Sequence, residues 1–167
     1  QPREESWNMS ELTAYHEAGH VLTAVLLGAK VKRVTIEPDE DGPPRYGDTQ
    51  ILWRKSRLTE QQLAENAVQV SLAGPAAEMI FTGDPFHPGM VPEWSADWQM
   101  AWEAAALLYS DERKRLDYLE QISIRIYHQL NRDDLWSVLA ALADELLAHE
   151  TLDREQIEDL TRELLGD

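Results

Sequence analysis

The stretch SELTAYHEAGHVLTAVLLG, residues 10–28, decides how this 167-residue sequence is read. Leu12, Tyr15, Val21, Leu22, Val25 and Leu26 recur at helical spacing, Ser10 is placed to cap the start, and Gly28 is placed to stop the end. The first element is therefore expected to be a helix over residues 10–27. Within it lies His16-Glu17-Ala18-Gly19-His20. On a helix, residues four apart lie about 40° apart around the axis and about 6 Å along it, so both imidazoles reach one metal ion.

That pattern points to zinc-assisted hydrolysis of peptide bonds. Two His at this spacing supply two ligands, and the intervening Glu17 stands beside the open coordination position as general base. It takes a proton from a water activated by the metal and passes it to the leaving amine, so no protein nucleophile is needed. Gly19 costs about 1 kcal/mol in a helix against Ala, which implies that another element packs closely there. A catalytic zinc takes three protein ligands, and the motif supplies two. The metzincin pattern places Gly and His at positions that are Thr23 and Leu26 here, so it does not provide the third. Glu37, Glu78, Asp84, His87, Glu93 and Asp97 are all chemically eligible, and spacing does not choose among them. Two His and one carboxylate also suit other divalent ions.

Outward from the motif, Val31, Val34 and Ile36 read as a short half-exposed strand, residues 39–47 as an acidic Pro/Gly loop, and residues 48–53 as a second strand. Two strands are marginal alone and require a helix on one face. Residues 59–81 read as a helix with Thr59 and Gln62 forming a capping box, ending at Thr82-Gly83, with a kink or break expected at Pro75. A proline-rich loop over 84–92 and four helices over 95–109, 112–130, 134–149 and 153–165 complete the chain, with no internal repeat. Trp94, Trp98 and Trp102 fall at four-residue spacing; packing between helices is preferred over an apolar wall for substrate. His87, His128 and His149 lack partner spacing and read as surface or loop residues.

Composition sets the limits. Hydrophobic residues make up 43% and charged residues 28%, ordinary for one globular domain over residues 1–167. The formal net charge of −16 excludes nucleic acid and anionic membrane surfaces as expected partners. No apolar run approaches the roughly 20 residues of a membrane span. The absence of cysteine leaves any transition metal to His, Asp and Glu and fits a reducing compartment, so a cytoplasmic location is expected. A chain beginning at Gln1 is expected to be processed or cut from something longer.

Ala14-Tyr15-His16-Glu17-Ala18-Gly19-His20 resembles the start of the peptidase domain of the FtsH-type zinc metallopeptidases. Lys32-Arg33-Val34-Thr35-Ile36-Glu37-Pro38 is similar to that family's strand after the motif helix, and Leu72-Ala73-Gly74-Pro75-Ala76-Ala77-Glu78 to its glycine- and alanine-rich helix. Ser95-Ala96-Asp97 resembles the family's Ser-Asn-Asp segment, which implies Asp97 as the third zinc ligand beside His16 and His20. The likeness covers residues 9–110; the helices over 111–165 match only in being helical. It implies a zincin-like, mainly helical α+β domain with a small sheet or hairpin, Zn2+ as cofactor, and flexible or unfolded polypeptides as substrates. It also raises two further partners, a homo-oligomer and a separate ATPase.

The chain departs from the family in several places. It contains no Gly-x-x-x-x-Gly-Lys-Ser/Thr sequence and no membrane span, Pro75 stands where the family has Arg, and Trp98-Gln99-Met100-Ala101-Trp102 replaces an Ala-Thr pattern. Glu78 is a candidate hydrogen-bond partner for a ligand His. Residues 48–53 are a candidate edge strand on which an extended peptide could add. Two rival readings are an inactive descendant serving as a binding or assembly module, and a metal-dependent hydrolase of a non-peptide amide.

Overall fold

The computed structural model describes residues 8–38 and 47–166. The expected acidic loop lies mostly outside them. The described residues form six α-helices and a small sheet: α1 (Met9–Leu26), β1 (Lys30–Thr35), β2 (Asp48–Leu52), α2 (Glu60–Thr82), α3 (Ser95–Ala105), α4 (Glu112–Leu130), α5 (Asp133–His149), β3 (Thr151–Asp153) and α6 (Arg154–Leu165). This is the expected mainly helical α+β class. No helix among the described residues is long and apolar enough to cross a membrane.

Helix α1 runs through the middle. Ala14, Ala18, Val21, Leu22 and Ala24 are wholly buried, and so apolar a helix is stable only with neighbours on most sides. Its cap is Asn8 rather than Ser10. The Asn8 side chain accepts from the Glu11 N–H at 2.7 Å while the Glu11 carboxylate accepts from the Asn8 N–H, a reciprocal box that places Ser10 inside the first turn.

Helix α2 crosses α1 with its small residues inward, Ala73, Gly74, Ala76 and Ala77 all being buried. A methyl added at Gly19 would lie 2.5 Å from the Ala73 carbonyl oxygen and 2.8 Å from Ala77 Cβ, which explains a glycine in mid-helix. The Thr59–Gln62 capping box forms as expected, and Gly83 ends the helix at φ 82°. Of the kink or break expected at Pro75, the break does not occur: α2 is continuous from Glu60 to Thr82. Pro75 removes one N–H and leaves the Ser71 carbonyl without its usual donor, yet the turns on both sides are buried against neighbouring helices and hold α2 in one piece.

The sheet has the order β2-β1-β3, all antiparallel, so among the described residues β2 has a neighbour on one side only. The third strand is unexpected from the sequence. Its three residues are too few to show an alternation, and β1 holds them in place. Ile36 N–H donates to the Glu150 carbonyl at 2.9 Å, and the Thr35 and Thr151 hydroxyls lie 2.8 Å apart. Helix α3 stops at Ala105, short of the expected Tyr109. The Arg115 guanidinium lies 4.6 Å over the Trp102 ring and donates to the Tyr109 and Ser110 carbonyls, taking the chain out of the helix before α4.

Candidate metal centre

Three helices meet at one point. Helix α1 brings His16 and His20, and α3, entered through the 3-10 turn Pro92–Trp94, brings Asp97 in its first turn. His16 Nε2 lies 2.6 Å from Asp97 Oδ2 and His20 Nε2 lies 3.4 Å from Asp97 Oδ1. One ligand atom from each residue falls within 4.8 Å of the others, a span that a single cation bridges. The imidazoles are 12% and 9% exposed and the carboxylate 18%, so the cluster is shielded but reachable.

The outer ring nitrogens are tied down. His16 Nδ1 donates to Glu78 Oε2 at 2.6 Å, and His20 Nδ1 donates to the Val70 carbonyl at 2.7 Å. Both acceptors lie on α2. An oxygen acceptor at Nδ1 requires the proton there and directs the Nε2 lone pair inward, as a metal ligand needs. Helix α2 closes one side of the cluster at Gly74, where an added methyl would lie 2.5 Å from His20 Nε2 and 2.6 Å from His16 Nε2. Two imidazole nitrogens and one carboxylate suit a catalytic zinc, which keeps a further position for water.

Glu17 points toward the sheet. It is 5% exposed, and its Oε1 accepts from the Thr49 hydroxyl of β2 at 2.6 Å. The chain just before β2 crowds the same side chain, since a methyl at Gly47 would stand 2.8 Å from Glu17 Cγ. The other sequence candidates lie elsewhere. Glu37, Asp84 and Glu93 are exposed, and His87 pairs with Glu120 at 2.9 Å. Glu78 joins the site from behind His16, as the sequence allowed.

Residues 7–52 match the Peptidase M50B-like family, a range that contains the motif helix and both strands of the first hairpin. The chain is also 32% identical over 184 aligned positions, 87% of its own length, to the ATP-dependent zinc metalloprotease FtsH 4 of Sorangium cellulosum (strain So ce56). Both likenesses support a zinc metallopeptidase family for this chain. The chain spans 28% of the length of that relative.

Trp94, Trp98 and Trp102 pack between elements. Trp94 is buried and donates its indole N–H to Glu78 Oε2 at 2.7 Å, Trp98 meets the His87 ring edge-on, and Trp102 lies under Arg115. Two contacts escaped the sequence reading. Thr49 looks like any strand threonine, and the Val70 carbonyl is backbone and has no side-chain signature.

Electrostatics at the cluster predict how the metal-free protein responds to pH. Burial opposes charge on His16 and His20, but the Asp97 carboxylate outweighs it at both, and Glu78 adds to it at His16. Both imidazoles are thereby held above 6.5, His16 well above. Burial likewise opposes charge on Asp97, and the two histidines hold it below the ordinary carboxylate range. The raised histidines contribute stability that is complete below about pH 6.5 and lost as pH rises through their folded values. The lowered carboxylate contributes stability that is complete above about pH 4 and lost at more acid pH. With chelator present, the melting temperature should therefore peak between about pH 4 and 6.5 and fall toward about pH 8. Asp97→Asn should flatten that alkaline fall. Parallel melts on the two proteins check this, and a chelated parent that gains stability over the same interval contradicts it.

Proposed function

We propose that this chain is the hydrolytic part of a zinc-dependent protease acting on flexible or unfolded polypeptides. The observation that carries this reading is the convergence of His16, His20 and Asp97 from two helices, with both outer imidazole nitrogens already bonded. Bound there, zinc supplies a Lewis acid for the scissile carbonyl and activates water near neutral pH. His16, His20 and Asp97 hold it, Glu78 and the Val70 carbonyl keep the imidazoles in the ligating tautomer, and the backbone at Gly74 closes one side. The Glu17 carboxylate accepts the proton of the attacking water. It then donates that proton to the amine nitrogen as the peptide C–N bond breaks, which returns the carboxylate to its starting charge.

The substrate class rests on the sheet. Because β2 is an edge strand among the described residues and its Thr49 touches the base, an extended peptide added along β2 would run past Glu17, held by main-chain bonds that are indifferent to sequence. The printed name of the Sorangium relative says that its proteolysis depends on ATP. No Gly-x-x-x-x-Gly-Lys-Ser/Thr sequence occurs in these 167 residues, so we assign ATP use to a region or partner outside them.

The test is a metal titration of cleavage. The purified chain should bind one zinc, cut a denatured, dye-labelled polypeptide, stop when a chelator removes the metal, and resume when zinc is restored. Zinc bound with no cleavage of any unfolded polypeptide would move the chain to a binding or assembly role. Cleavage of small amides with no cleavage of polypeptide would move it to a non-peptide hydrolase.

A further inference from the structure

Glu78 Oε2 accepts two hydrogen bonds in the interior. One comes from His16 Nδ1 at 2.6 Å and the other from the Trp94 indole N–H at 2.7 Å. Glu78 and Trp94 are each only 5% exposed, so neither bond is shared with bulk water. Trp94 ends the 3-10 turn Pro92–Trp94 and immediately precedes α3, and Asp97 follows three residues later in the first turn of that helix. Asp97 Oδ2 in turn lies 2.6 Å from His16 Nε2. The contacts therefore form a closed circuit from His16 to Glu78, to Trp94, along one turn of backbone to Asp97, and back to His16.

Resting on the metal-site reading above, we propose that Trp94 is a positioning residue for the zinc site: its indole N–H anchors the start of α3 to Glu78, and so fixes Asp97 against the histidines. The reason lies in connectivity. Two ligands come from one helix and need only their rotamers set, whereas Asp97 arrives on a separate helix after a loop of prolines and short turns. No side chain caps α3, whose preceding residue is Trp94 itself. An indole N–H is a donor only, and a buried carboxylate is an acceptor for which the alternatives are costly, so the bond has one direction and one geometry. The carboxylate that sets the tautomer of His16 thus also sets the address of the third ligand.

Trp94→Phe keeps an aromatic ring and removes the N–H. Partners in the second layer around a metal typically change affinity by 10- to 100-fold. Trp94 acts through one more bond, so a loss near tenfold in zinc affinity is expected from competition with a coloured chelator. Trp98→Phe, on the same helix face but packed on His87, should leave affinity unchanged. The two substitutions Trp94→Phe and Glu78→Met should be non-additive. Once Glu78 is gone, losing the indole N–H should cost nothing further, a coupling that a role in general packing would not produce. A readout on the unsubstituted protein needs no variant at Trp94. Of the six indole N–H signals in a 15N-tryptophan spectrum, one should exchange slowly with solvent and move when zinc is added.

If the parent binds no zinc, the metal-site reading fails and this proposal with it. If the parent binds zinc and Trp94→Phe binds it equally well, or loses the same factor with and without Glu78, the proposal alone is overturned. Should Trp94→Phe not fold, the spectrum decides: no slowly exchanging, zinc-sensitive indole N–H refutes the anchor.

Discussion

Replacing Glu17 with Gln should leave one zinc bound at parental affinity and lower kcat for peptide cleavage by about 10²- to 10⁴-fold, the range supplied by general acid–base catalysis. The ligands are untouched. The amide oxygen of Gln can still accept the Thr49 hydroxyl that Glu17 Oε1 accepts at 2.6 Å, so the buried side chain keeps its partner and β2 its attachment. What the amide cannot do is take the proton of the attacking water. Because that proton moves only in the reaction, KM should change little while kcat and kcat/KM fall together. A Glu17→Gln enzyme that cleaves as fast as the parent would remove Glu17 as the base, and one that loses zinc would make it structural instead.

The second large effect is expected at Gly74. Ala is ordinarily better than Gly inside a helix by about 1 kcal/mol, so an indifferent position in α2 would gain stability from Gly74→Ala. Here the new methyl would stand 2.5 Å from His20 Nε2 and 2.6 Å from His16 Nε2, at the atoms proposed to bind metal. The rings have little room to retreat, because their other nitrogens are bonded to the Val70 carbonyl and Glu78. Backing α2 away from α1 would open the packing around the buried Ala73, Ala76 and Ala77. Overpacking of this kind costs about 1–3 kcal/mol, which corresponds to a loss of about 5- to 150-fold in zinc affinity. Chelator competition and a thermal melt on the same sample check it. A variant that is more stable and binds zinc normally would show that the helix does not close the cluster.

Much of this was legible in the sequence because it is local. The His pair, its helix, the Thr59 cap of α2 and the strand character of β1 and β2 are set by residues within a few positions of one another. Gly19 even signalled that another element packs close, which the structure shows to be α2. Asp97 was a different case. It lies 77 positions beyond His20 in a loop-to-helix junction, and chemistry alone left it level with five other candidates until the family likeness singled it out. The structure brings it to both imidazoles. What no local rule displayed were relations between elements: the Val70 carbonyl behind His20, the Thr49 hydroxyl on Glu17, and β3, whose three residues are ordered by the partner strand rather than by their own pattern. The break expected at Pro75 reflects the same limit, since a propensity penalty of about 3 kcal/mol is visible in sequence and the packing that overrides it is not.

The tight crossing of α1 and α2 has a practical consequence for anyone wishing to redirect this protein's specificity. Positions 19, 73, 74 and 77 form a rigid wall in which adding even one carbon at either glycine collides with backbone or ligand atoms. Libraries that vary them should return mostly dead clones. On β2, by contrast, Asp48, Gln50 and Leu52 are exposed and alternate with Thr49, so they face away from Glu17. Diversity spent there changes the outer face of the strand while leaving the chemistry intact.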